Sequence, residues 1–285
     1  MMRLDAATVL LQWATGGLLF LWVTTRGRQV GIGYGWLVRG TYLLMAVGAL
    51  LVGLGVGDPV PVREVASAGV VLAAGFALVV SIVRRRAGVA GERERVERRS
   101  ARITAMTGID RRRDGPDASV PEFPPVLDLV APLVGLVGLV AAGVDAGHPI
   151  WLSVARTVVG AAFLGSISDA MLLGHWYLVQ PGLPRAPLLE LVRWLGRLWP
   201  LEVALLLWPT GMGSVVDGSI DDGYNGMLGW FWIACAVTTI GLVVVTRAAL
   251  RERQYSAVMA ATGLLYLAIL TAFGTDLVAR ATLAG

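Results

Sequence analysis

A 285-residue chain that is 56% hydrophobic and only 15% charged, with a mean hydropathy of +0.69, lies outside the range of soluble domains, which are nearer a quarter charged. Its formal net charge is +4, and all 24 basic residues are arginine. Without lysine the chain offers no Schiff base of the retinal or pyridoxal phosphate kind and no Walker-type phosphate loop.

Runs of about 20 apolar residues, the length that crosses a bilayer as a helix, predict eight spans. In chain order they are Ala6–Thr25, Trp36–Val56, Val65–Val83, Val126–Gly143, Pro149–Val179, Pro187–Thr210, Met227–Arg247 and Ser256–Thr282. The first run lacks a small-residue cleavage site and is followed at once by Arg26 and Arg28, so it is expected to be a span and not a cleaved signal. Residues 84–125 are too polar to cross. The centre of this segment, with Glu92, Glu94 and Glu97 among arginines, is expected to form a helix, and its end is Pro-rich. It can serve as a solvated connector or bind anionic lipid. The chain therefore divides into residues 1–83 (three spans), 84–125 (Arg-rich loop) and 126–285 (five spans).

Arginine placement gives the orientation, because positively charged loops stay cytoplasmic. Arg26, Arg28, the arginines of residues 84–113, Arg185, Arg251 and Arg253 fall on one side. Asp58, Arg63, Glu64, Asp145, Asp217, Asp221 and Asp222 fall on the other. The expected architecture is an all-α, polytopic helix bundle with both termini outside and the basic loop cytoplasmic, in a bacterial inner membrane. Spans 1–4 and 5–8 then run in matching directions, as a duplication would produce.

Ionisable residues at bilayer depth are costly and usually face a bundle interior, a cavity or a partner. At 100° per residue, Arg156, Asp169 and His175 of the fifth span point in three directions, which makes that span a hub surrounded by protein. Its small residues, Gly160, Ala161, Ala162 and Gly165 among them, allow close approach. In the sixth span Glu190, Arg193 and Arg197 share one face, and Pro200 is expected to kink the helix. Two polar layers follow. The inner one holds Asp169, His175, Trp176, Tyr177, Glu190, Arg193 and Arg197. The outer one holds Arg156, Glu202 and Asp276, with Arg280 close by. Each layer also has a structural reading, in which Arg–carboxylate pairs fix helix register and Trp176 and Tyr177 form an interfacial aromatic belt.

Several chemistries drop out. The two histidines, His148 and His175, lie at opposite ends of one span, roughly 40 Å apart, so no haem is expected to be bound by this chain alone. No clustered His/Cys set suits zinc, and the lone Cys235 lies in an apolar run. The loop "DGSIDDGYNG" lacks the Gly and Glu that a calcium loop needs. Nothing points to nucleic acid. What remains is a quinone- or amphiphile-binding subunit of a respiratory complex, its site at the cytoplasmic side of spans 5 and 6 with His175 as the proton-exchanging group. The alternatives are a proton-coupled secondary transporter, an enzyme acting on lipid or isoprenoid head groups, and an assembly scaffold. Membrane lipids are partners in every case.

Overall fold

The computed structural model describes residues 5–56, 58–107, 117, 119–180, 182–209 and 211–284. Arg111, Arg112 and Arg113 of the basic loop, and Thr210 at the expected end of the sixth span, lie outside the described residues. The described residues hold ten α-helices and no strand: α1 (Ala6–Thr25), α2 (Ile32–Gly55), α3 (Pro61–Val83), α4 (Ala90–Thr107), α5 (Leu127–Asp145), α6 (Ile150–Val179), α7 (Ala186–Leu207), α8 (Met212–Val216), α9 (Met227–Ala249) and α10 (Tyr255–Thr282).

Local chemistry sets the helix ends. Asp5 caps α1 through its carboxylate, which accepts from the Ala7 amide (3.2 Å) and the Thr8 hydroxyl (2.7 Å). Proline opens α3 at Pro61 and sits in the first turn of α7 at Pro187, where its missing N–H costs nothing. The restriction on a residue preceding proline ends α7 before Trp208-Pro209. Pro200, expected to kink the sixth span, lies within a helix that runs through it without interruption.

Among the described residues seven helices, α1, α2, α3, α5, α6, α9 and α10, are long and apolar enough to cross a membrane, as in a polytopic helical bundle. The helix α7 has the length, but Glu190, Arg193, Arg197 and Glu202 interrupt its apolarity. The polar connector forms α4, as its composition suggested. It lies against the α1–α2 turn, where the Gly91 amide donates to the Arg28 carbonyl (3.0 Å) and Arg95 to that of Gln29 (2.7 Å). Glu122 holds Arg28 (3.2 Å) and Arg93 at the same end of the bundle.

The long helices form two rings of four. In the first, α1 touches α2, α2 touches α3, α3 touches α5, and α5 returns to α1. In the second, α6, α7, α9 and α10 close in the same order. The two halves thus share one connectivity. They meet mainly where α1 and α5 pack on α6.

Glycine sets how closely the rings approach. A Cβ on Gly16 of α1 would overlap the Ala161 carbonyl of α6, and one on Gly165 would overlap the Gly16 backbone. Backbone thus meets backbone, and neither side can yield by changing rotamer. Gly165→Ala is expected to destabilise the fold by roughly 1–3 kcal/mol, measured as a fall in the midpoint of thermal unfolding in detergent. Gly263→Ala, which has nothing within 4 Å of the added methyl, is the control.

The first ring is pinned by a buried ion pair. Arg39 of α2 grips Asp128 of α5 through two bonds of 2.7 Å, with both side chains all but inaccessible. The Arg39 guanidinium also lies 4.2 Å from the Phe123 ring centroid and donates to Ser81 of α3 (3.2 Å), while Thr25 of α1 donates to Asp128 (3.0 Å). Every helix of the ring contributes.

Candidate functional site

The ionisable residues of α6 do point three ways. Arg156 reaches α7, Asp169 reaches α2 and His175 reaches α10. The helix is the expected hub, packed against α1, α5, α7 and α10, though α1 is just as central.

The outer polar layer assembles. Arg156 is committed to the end of α7, its Nε donating to the Leu205 carbonyl (2.8 Å) and its Nη2 to that of Trp208 (3.0 Å). These are carbonyls of the terminal turn that lack helical partners, and a cation suits them. Arg280 donates to Asp276 one turn earlier on α10 (2.8 Å), and both are buried. Glu202 of α7 is wholly buried and near enough to Asp276, Arg280 and Arg156 to feel their charges. Ionised carboxylates only accept, so these two acids can bond to each other only when one of them carries a proton. No donor among the described residues bonds either oxygen of Glu202.

A residue the sequence reading passed over completes the cluster. Gln12, in the middle of α1, is wholly buried and neither end of its amide has a partner. It meets the second ring across Gly160. A Cβ built there would lie 2.5 Å from Gln12 Nε2, 2.8 Å from Asp276 Oδ1 and 3.1 Å from Arg280 Nη2. Those three atoms are themselves without hydrogen-bond partners. Buried polar groups left this way are rare in folded proteins, so their concentration at one point makes it a candidate site. The available signal was a lone amide inside an apolar run, overlooked because only ionisable residues were sought.

Beside this cluster a cavity of about 290 Å³ opens between the two rings at the acidic end. Its walls come from both: Asp5 and Thr8 of α1, Arg63 of α3 and Asp145 of α5 on one side, Ser153 and Thr157 of α6 and Arg280 of α10 on the other. Arg63 is fully engaged, by Asp5, by Thr8 (3.0 Å) and by Glu64 (2.6 Å).

The inner set does not gather into one pocket. Asp169 is wholly buried and has no cation beside it among the described residues. Its Oδ1 accepts from the Tyr42 hydroxyl (2.6 Å), and Oδ2 has no partner. Tyr42 crosses α1 to reach it, over Gly17, where any Cβ would overlap the phenol ring. The other members lie elsewhere. His175 is exposed, its Nδ1 3.1 Å from the Tyr266 hydroxyl. The Trp176 indole donates to Gln180 (3.1 Å) and lies against Tyr34, with ring centroids 6.2 Å apart. Tyr177 is buried, with its hydroxyl on the Pro184 carbonyl. Three successive residues thus fasten the end of α6 to three different neighbours. Glu190 pairs with Arg26, whereas Arg193 and Arg197 lie on the exposed face of α7, Arg197 5.6 Å from the Trp194 ring centroid. His175→Ala is expected to leave stability within about 0.5 kcal/mol of the parent, checked by thermal unfolding.

In the loop before α9, Asp222 spends its oxygens on the amides of Tyr224 (2.8 Å), Gly226 (2.8 Å) and Leu228 (2.9 Å), preparing the start of that helix. Hydrogen bonds from the Ser219 hydroxyl and amide hold Asp217 below the usual carboxylate range. No group of three His, Cys, Asp or Glu among the described residues is placed to share a metal ion. Compared with known protein families, with curated proteins and with solved structures, the chain shows no match.

Proposed function

We propose that this is a multi-pass membrane protein of eight spans, with α7 as the sixth, acting as a proton-coupled secondary transporter. The observation that carries the reading is a pair of wholly buried acids, Glu202 and Asp276, grouped with Arg280 and Arg156 beside a cavity walled by both helix rings. A carboxyl pair that needs a proton to bond is a device for coupling protonation to packing. Ionisable groups within spans mark such pathways. The shared cyclic order of the two rings also suits a transporter, whose repeats meet around the site. The Arg-rich end, with α4, is the cytoplasmic side by the charge rule, and the membrane is a bacterial inner membrane.

The carbodiimide DCCD, which attacks protonated carboxyls in apolar surroundings, tests this. The expected result is labelling of Glu202 or Asp276 that rises as pH falls, read by mass spectrometry. A protein that labels at neither residue at any pH overturns the reading. A quinone-binding, electron-transfer role beside respiratory partners rests on the exposed His175–Tyr266 pair, where a ring could dock from the lipid side. It predicts quinone co-purifying with the parent protein and lost in His175→Ala.

A further inference from the structure

A second buried acid stands apart from the outer cluster. Asp169 of α6 lies one turn after Gly165, where α6 meets Gly16 of α1 backbone to backbone. Tyr42 of α2 donates to its Oδ1 (2.6 Å), and the Tyr34 hydroxyl donates to its backbone carbonyl (3.4 Å). Beside it the Trp13 indole of α1 donates to Ser168 (2.7 Å). Three bonds from the first ring thus converge on one turn of the second. The charged groups of the surrounding helices are engaged elsewhere. The helix α1 has no ionisable residue between Asp5 and Arg26. On α2 Arg39 holds Asp128 of α5. On α7 Glu190 pairs with Arg26, and Arg193 and Arg197 are exposed. His175 of α6 turns to Tyr266 of α10, while Glu202, Asp276 and Arg280 belong to the outer cluster. Gly160, which faces Asp276 and Arg280, precedes Asp169 by about 14 Å along the helix. The titratable groups that face Asp169 among the described residues are therefore Tyr34 and Tyr42. One phenol does not offset the cost of burying an unpaired carboxylate, so the neutral acid is the form that fits this packing.

We infer that Asp169 is a second proton-binding site, on the basic half of the molecule, and that its proton holds the two rings together through Tyr42. This site rests on the proton-coupled reading and adds a second station to it. With the proton on, the carboxyl accepts from Tyr42 and suits a seam without cations. When the carboxyl O–H breaks, the proton must pass to water and the remaining charge must be hydrated. Backbone against backbone at Gly16 and Gly165 leaves no side chain there that can yield. Proton loss therefore favours a packing in which the rings part towards the basic end of α6, about 15 Å from Asp169. The link is reciprocal, so closing the rings favours proton uptake. Along α6 the outer cluster and Asp169 lie on opposite sides of the Gly16–Gly165 contact, as access from alternate ends requires.

The test is infrared spectroscopy of the full chain in detergent, across the pH range in which it stays folded. The parent is expected to show a protonated-carboxyl carbonyl band that Asp169→Asn lacks and that weakens as pH rises. Tyr42→Phe should move the same band to higher wavenumber, since a hydrogen bond to the carbonyl lowers its stretch, so two variants identify it. Amide hydrogen exchange reads the packing. At the high-pH end, amides of α1 and α6 flanking Gly16 and Gly165 should exchange several-fold faster in the parent than in Asp169→Asn, whose side chain stays neutral. The inference is overturned if Asp169→Asn loses no band, if the band is the same at every pH or unmoved in Tyr42→Phe, or if the two proteins exchange alike. DCCD labelling of Glu202 or Asp276 without a pH-dependent Asp169 band strikes the second site and leaves the proposed function standing. The band without that labelling keeps Asp169 as a proton site and strikes the outer pair.

Discussion

Asp276→Asn should lower the stability of the protein by about 3–5 kcal/mol, because it removes one partner of a buried ion pair and leaves the Arg280 charge without its carboxylate. The effect is aggravated by Arg156 on the same side of the cluster. It is relieved only so far as Glu202, the remaining acid, can turn to Arg280. The double variant Asp276→Asn/Arg280→Gln removes both charges and should recover most of the loss, since an uncharged pair carries no stranded ion. DCCD labelling should separate structure from function here. The double variant folds but has no carboxyl pair, so pH-dependent labelling at Glu202 is expected to fall sharply. Thermal unfolding of the three proteins, with labelling on the same samples, checks both halves. Parent-like stability in Asp276→Asn would mean that Arg280 does not depend on this carboxylate.

Asp128→Ala should be equally severe, at about 3–5 kcal/mol, for the same electrostatic reason at the other end of the molecule. Arg39 would keep its Ser81 and Phe123 contacts but lose both charged bonds. The difference lies in what the pair does. Among the described residues no side-chain nitrogen or oxygen of Arg39 or Asp128 is buried without a partner, so the pair is expected to hold the four helices of the first ring in register. Replacing both residues, as in Arg39→Met/Asp128→Leu, should restore stability to near the parent value. DCCD labelling of Glu202 and Asp276 should be unchanged. The two double variants thus distinguish a pair that fastens from a pair that works.

These two clusters show unevenly in the sequence. The apolar runs predicted the bounds of the long helices to within a few residues, seven of which among the described residues are long and apolar enough to span, because membrane length and backbone hydrogen bonding leave a helix little choice. The outer layer was legible because Arg156, Glu202 and Asp276 fall at similar depths in antiparallel spans, and depth is a one-dimensional quantity that residue counting supplies. The pairing of Arg39 with Asp128, 89 residues apart, was not legible. Neither was Tyr42 reaching Asp169 over Gly17. Both depend on which helices are neighbours, and periodicity does not encode that. The inner set fails to converge for a related reason. Helical spacing says only that Glu190, Arg193 and Arg197 share a face, not which way it looks; on α7 Arg193 and Arg197 look outward while half-buried Glu190 pairs with Arg26. Gln12 was missed because its amide carries no charge, although an amide deep in an apolar run costs much the same to leave unpaired.

The most direct measurement is an infrared titration of the protonated-carboxyl carbonyl band in the purified protein, on an Asp169→Asn background that removes the buried acid with no cation beside it among the described residues. Proton uptake by the Glu202–Asp276 pair predicts a band that changes with pH and disappears in both Glu202→Gln and Asp276→Asn. A band that does not change with pH, or that survives unaltered in both variants, would contradict it.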